Sequence, residues 1–235
     1  MYSRTLRLEV LLDLQGEIAS SGDDLFFIVL HQTHELWFKS LLYELERARD
    51  HIAAGALDPA AHELRRVRAI ERLLTEQLLS MLTLTVDGFA ALRPYLGTSS
   101  AFQSAQFREI EFLSGLKDSR YLNVKWFSTA ERRRLQRRYD EPSLRDSFDG
   151  LLARKGVADL FDAIKCDPDG ELRSLVEGLV AHDEGLREWR VRHMEMARRL
   201  IGDSSGTGGT SGLPYLRSRQ GSAVFPDLRA ILDRL

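Results

Sequence analysis

The feature that most constrains this chain is a long helical repeat near its start. Between Leu25 and Ile52 apolar residues return at steps of three and four (Phe27, Leu30, Trp37, Leu41, Leu45, Ala48, Ile52), as one face of an α-helix requires. Asp23 and Asp24 set negative charge at the positive end of the helix dipole, and Gly55 offers a stop. The opening turns, Leu25 to Leu30, are apolar on every side, which predicts that this end lies deep in the protein. A second helix starts at Asp58-Pro59 and is carried by Leu64, Val67, Ile70, Leu73, Leu74, Leu78 and Met81 to about Leu82, with Glu63, Arg66, Glu71 and Arg72 on its polar side.

Further along, Pro94 and the run Gly97-Thr98-Ser99-Ser100 predict a loop, followed by a helix from about Phe102 to Leu116. Tyr121 to Phe127 reads as irregular or a short helical piece. Thr129 to Tyr139, with Arg132, Arg133, Arg134, Arg137 and Arg138 among Glu131, Asp140 and Glu141, reads as an exposed basic helix with a solvated face. Weaker helices fall near 143–155, 157–164 and 171–179. A last long one runs from about His182 to Ile201 and stops at Gly202, and a short one lies near 226–232. Neither an internal repeat nor a strand pattern is present. The expectation is an all-α fold, a helical bundle in one domain over residues 1–235.

With 43% hydrophobic and 29% charged residues in 235, the composition is that of an ordinary globular protein with one substantial core. A net charge of −2 offers no general attraction to nucleic acid or an anionic membrane. The single cysteine, Cys166, excludes an intramolecular disulfide framework and a cysteine-cluster metal site. Charges at Arg4, Arg7 and Glu9 argue against a signal peptide, and no apolar run is long enough to span a bilayer, so a cytoplasmic address is expected.

Two histidines stand out by position. His31 follows Phe26-Phe27-Ile28-Val29-Leu30, and His193 lies in Trp189-Arg190-Val191-Arg192-His193-Met194. A buried imidazole needs a partner, so either one is a core histidine bonded to a backbone carbonyl or a functional group. His31 and His34 form H-x-x-H, but without the glutamate placement of a zinc protease. The glycine-rich stretch 202–212, directly after the helix carrying His193, permits close backbone approach and presents N–H and hydroxyl groups suited to a carboxylate. A flexible linker would have the same composition.

Three blocks together resemble the tryptophan 2,3-dioxygenases: Leu25 to Lys39 (LFFIVLHQTHELWFK), Leu92 to Phe112 (LRPYLGTSSAFQSAQFREIEF), and Trp189 to Met194 followed by Arg199-Leu-Ile-Gly and Gly206 to Gly212. They occur in the family's order and span most of the chain. The resemblance implies haem b as cofactor, with His193 as the axial ligand of its iron and the opposite face left for O2. It implies that His31 meets the indole N–H, that Phe27 and Phe89 wall the indole, that Arg93 grips the substrate carboxylate, and that Thr207 closes over the amino-acid end. Ser100 and Trp189 are expected beside the haem. Tyr2 and Thr5 fall where the family offers two tyrosines to a neighbouring subunit's pocket, and Ala101 stands where a glycine is usual.

The activity so implied inserts O2 across the indole C2–C3 bond of L-tryptophan, or of a substituted tryptophan, to give an N-formylkynurenine-type product. A haem monooxygenase on the same scaffold, making an oxindole in secondary metabolism, would need the same residues. The resemblance also implies a homotetramer. Residues 1–20 are expected to form an N-terminal oligomerisation helix, with Leu6, Leu8, Leu11, Leu12 and Leu14 as its apolar stripe, although such a stripe can equally pack within its own chain. Residues 202–212 would be the substrate lid.

Overall fold

The computed structural model describes residues 1–15, 22–202 and 211–235. Two short helices, α1 (Tyr2–Leu6) and α2 (Leu8–Asp13), meet at Arg7, whose φ of 53° breaks what the sequence reads as one N-terminal helix. Next come α3 (Gly22–Ala54) and α4 (Leu57–Ser80), which ends in a 3-10 turn, Met81–Thr83. α5 (Val86–Leu96) is followed by a 3-10 turn, Ala101–Gln103, and then by α6 (Ala105–Ser114). A 3-10 segment, Ser119–Asn123, leads to α7 (Thr129–Asp140), α8 (Leu144–Lys155) and α9 (Leu160–Cys166). α10 (Glu171–Ile201), α11 (Leu213–Gln220) and α12 (Pro226–Leu232) complete the order. No strand occurs among the described residues, and none of the described helices is long and apolar enough to cross a membrane.

The frame is the long trio α3, α4 and α10. α4 packs along both of the others, and α6 and α8 lie against α3. Leu45, Ile52, Leu64, Val67, Leu175 and Leu179 form its dry centre, each essentially without exposure. α10 sits close on α4 because two of its crossing positions are glycine: a Cβ at Gly178 would lie 3.0 Å from Leu64, and one at Gly185 would lie 2.0 Å from the Glu71 carboxylate. Across this crossing His182 bridges Glu71 (2.7 Å) and Ser114 (2.8 Å), tying α10, α4 and α6 together with all three side chains buried.

The start of α3 departs from expectation. Phe27 and Leu30 are buried, but Leu25, Phe26 and Val29 on the other flank are exposed. Among the described residues only one face of these turns meets a partner, so an all-apolar pattern need not mean burial by one's own core. The N-terminal stripe is partly uncovered: Leu6, Leu12 and Leu14 are exposed and Leu8 and Leu11 half-buried, while Gln15 and Gln32 (2.7 Å) tie the end of this segment to α3.

Three helix boundaries also differ. Glu171–Ile201 is one 31-residue helix rather than two. Val86–Leu96 is helical although it contains Pro94, which falls in the last turn. α6 begins at Ala105 because Ser104 caps it, accepting from the Phe107 N–H. The basic α7 is not wholly solvated, since Arg138 is buried against Glu141 (3.2 Å) and Glu46, and Arg134 bonds Glu109 (2.9 Å).

Candidate active site

Where α3, α5, α6 and α10 diverge, they leave a mainly apolar cavity, with α11 at one end of its wall. α10 contributes one face: Trp189, His193, Met196, Ala197 and Leu200 recur at helical spacing along the wall. α3 supplies Phe27 and His31, α5 supplies Phe89 and Leu96, and Ser99 and Ser100 lie on the connecting turn. A second, more open cleft meets the first at Phe27, His31 and Ser100, and is lined further by Glu35, Gln106 and Arg134.

His31 is set by its own helix. Its Nδ1 lies 2.8 Å from the carbonyl oxygen of Phe27, one turn back. A carbonyl only accepts, so Nδ1 carries the proton. Burial lowers the imidazole's pKa below 6.5, outweighing the raising effects of Phe27's carbonyl and Glu35, so the ring is neutral at pH 7 and its Nε2 is a bare acceptor. The Phe27 ring lies against it at 4.1 Å and contacts Phe89 at 6.1 Å.

His193 is prepared differently. Its ring is stacked on Trp189, 5.0 Å away and within 7° of parallel, which orients the imidazole without using either nitrogen. Burial, helped by the proximity of His31, His34 and Arg108, brings its pKa down to about 4, so a neutral ring with a free lone pair faces the cavity at pH 7. No bare metal ion has a ready ligand set here, because no group of three or more His, Cys, Asp or Glu residues able to hold one occurs among the described residues. A single neutral imidazole suffices where the remaining ligands arrive with the metal, as in a porphyrin, and the apolar side chains of α3, α5 and α10 suit its macrocycle. The residues present therefore fit haem held by His193.

Of the residues singled out in the sequence, Phe27, His31, Phe89, Ser100, Trp189 and His193 are brought together on one cavity. Arg93 is on α5 between Phe89 and Leu96, half-buried, and is not among the residues lining either cleft. Tyr2 is exposed at the N-terminus. Thr207 and most of the glycine-rich stretch lie outside the described residues.

The sequence reading missed a charged group in the same wall. Arg108 and Glu111 on α6, Arg190 on α10, and Tyr215 and Arg219 on α11 all line the cavity. Glu111 accepts from Arg108 (2.5 Å), Arg190 (2.9 Å) and Arg219 (3.3 Å). Burial alone would raise its carboxyl, but the guanidiniums outweigh that and hold it below the ordinary carboxylate range. The one sequence signal for α11 in this role is the i, i+4 spacing of Tyr215 and Arg219, which places both on one face.

The model of the family described as tryptophan 2,3-dioxygenase matches residues 1–160 and 159–232. A relative from a Nocardioides species named tryptophan 2,3-dioxygenase is 41% identical over 251 residues, covering 100% of this chain and 94% of the relative. One of the same name from Burkholderia pseudomallei is 37% identical over 250 residues, covering 97% of this chain and 82% of the relative. With the family model spanning nearly the whole length and such identity sustained end to end, the chain belongs to the tryptophan 2,3-dioxygenase family.

Proposed function

We propose that the chain opens the indole ring of L-tryptophan, with haem b as cofactor and O2 as co-substrate, giving N-formylkynurenine. The observation that carries this reading is the pair of neutral imidazoles on one cavity, His193 with a lone pair free for iron and His31 with a bare Nε2 free for an N–H donor. Haem, when bound at His193, supplies the activation of O2. Everything else asked of the chain is binding, orientation and exclusion of water.

His31 Nε2 accepts the indole N–H and so orients the ring, while Phe27 and Phe89 bound it on its faces. Because His31 is neutral and hydrogen-bonded through Nδ1, it acts by fixed polarity and needs no change of charge. Arg93 is proposed for the substrate carboxylate. Being one turn from both Phe89 and Leu96, it would reach the cavity through a change of its own rotamer or a small rotation of α5. Thr207 and residues 202–212 are proposed to close over the amino-acid end, dewatering the site. Ser100, at the meeting of the two clefts, would sit beside both haem and substrate.

The uncovered leucines of α1 and α2, beside the exposed Leu25, Phe26 and Val29 of α3, support assembly into a homotetramer in which Tyr2 reaches a neighbour's pocket. Thr5, where the family offers a second tyrosine, leaves the pocket rim one ring short and would admit a substituted tryptophan.

The test is single-turnover mass spectrometry of the ferrous haem-loaded protein with O2 and tryptophan or its ring-substituted derivatives. Ring cleavage adds two oxygen atoms without external reductant. A product carrying one added oxygen, formed only with reductant, would instead assign an oxindole-forming monooxygenase. No product with any of them would remove the enzymatic reading.

A further inference from the structure

The arginines around Glu111 do not balance. Its two oxygens already accept from Arg108, Arg190 and Arg219. The next carboxylate, Asp118, approaches Arg219 only to 3.9 Å and is committed to Arg120 through bonds of 2.7–3.2 Å. Among the residues lining this end of the cavity, Arg108, Arg190 and Arg219 are therefore set against Glu111 alone, which leaves two positive charges (3 − 1). Arg108 and Arg190 are each only 6% exposed in their side chains.

Buried cations without counter-ions are strongly disfavoured, so an arrangement like this calls for an anionic occupant. Two details point the demand into the cavity. The Nε atoms of Arg108 and Arg219 are buried with no acceptor. The rings of Tyr121, Phe102 and Phe107 lie 4.4 to 5.2 Å from the Arg108 guanidinium, which spreads its charge over π-faces but offers no lone pair. Beside them the Tyr121 and Tyr215 hydroxyls bond each other at 2.5 Å, so one of the two protons remains to be donated elsewhere.

We infer that Arg108, Arg190 and Arg219, gathered round Glu111, form a dicarboxylate seat for the two propionates of the haem whose iron His193 holds. This rests on the haem reading above. The match is one of charge and shape: a planar group bound at its centre by one imidazole carries both carboxylates on a single edge, and the net charge of the cluster equals theirs. The three arginines come from α6, α10 and α11, so the seat exists only when α11 is docked after the glycine-rich stretch. The amino-acid carboxylate is the other source of the same chemistry, but it carries a single charge.

The full-length chain and Arg219→Gln are titrated with ferric haem b and with haem dimethyl ester, whose carboxylates are blocked, following the Soret band and quenching of tryptophan emission. The expectation is that the unmodified chain prefers haem b by about 100-fold or more, and that Arg219→Gln reduces this preference by about 10-fold while leaving ester affinity and the histidine-ligated spectrum unchanged. Equal affinity for both forms in the unmodified chain, each histidine-ligated, overturns the seat and leaves the haem reading intact. Failure to bind either form removes the haem reading itself. If Arg219→Gln keeps the ester preference but loses the preference for tryptophan over tryptamine, the carboxylate served is the substrate's and the inference is wrong. Should Arg219→Gln not fold, the ester comparison in the unmodified chain decides alone.

Discussion

Replacing Gly185 by alanine tests how α10 is held in register. The added Cβ would stand 2.0 Å from Glu71 Oε2 and 2.8 Å from an Arg68 nitrogen, where ordinary contact begins at 3.4 Å. The carboxylate must therefore retreat by about 1.4 Å (3.4 − 2.0), which breaks its 2.7 Å bond to His182. Glu71 and His182 are 2% and 0% exposed, so neither recovers a water partner. Breaking a buried pair of this kind costs about 3–5 kcal/mol. Alanine in a helix interior returns about 1 kcal/mol relative to glycine. The net is a loss of about 2–4 kcal/mol in urea unfolding followed by circular dichroism. His193 lies about two turns further along the same helix, so haem uptake should weaken as well. Gly178→Ala, whose Cβ would meet Leu64 at 3.0 Å, needs only a small side-chain adjustment and should lose less than half as much. A Gly185→Ala protein as stable as the original, or stabilised by the helix-propensity gain alone, would refute the reasoning.

His31→Leu should lower kcat/KM for tryptophan roughly 10-fold, the worth of one neutral hydrogen bond, without altering the histidine-ligated spectrum. Against 1-methyltryptophan, which has no indole N–H, the same substitution should change kcat/KM little, and an equal loss for both substrates would contradict the assigned role. Burial lowers the pKa of His31 and His34 below 6.5, so between that value and the lowered ones the unfolded chain binds protons that the folded chain refuses. Their contribution therefore rises with pH and is lost as pH falls below about 6.5. The loss of urea stability of the haem-free chain from pH 7 to pH 5 should be shallower in His31→Gln than in the original, and an unchanged difference would count against the buried neutral ring.

The parts of the fold legible in the sequence were those whose helices meet the core through one apolar stripe. α3 and α4 are of this kind, and their repeats gave both their extents and their shared core. α10 was read as two pieces because Gly178, His182 and Gly185 interrupt its stripe. These positions serve close packing on α4 and the buried Glu71–His182–Ser114 bridge, neither of which is apolar. α5 was hidden by Pro94, which reads as a breaker but sits in a last turn where little is left to break. For His31 both readings open from the sequence are true at once: it is bonded to a backbone carbonyl, and that bond is what bares its other nitrogen toward the cavity. Arg108, Glu111, Arg190 and Arg219 stayed invisible because a charged residue on a helix reads as solvated. Only the convergence of α6, α10 and α11 makes them one group, with Arg108, Glu111 and Arg190 buried and Arg219 half-buried.

The claim on which the functional account turns is that the His193 imidazole alone anchors the haem iron to the chain. Absorbance and electron paramagnetic resonance of His193→Gly, with and without added imidazole, address it directly. The account predicts loss of the histidine-ligated spectrum and of haem affinity, with both returning when imidazole fills the space beside Trp189. A His193→Gly protein that keeps the original spectrum and turns over tryptophan unaided would contradict it.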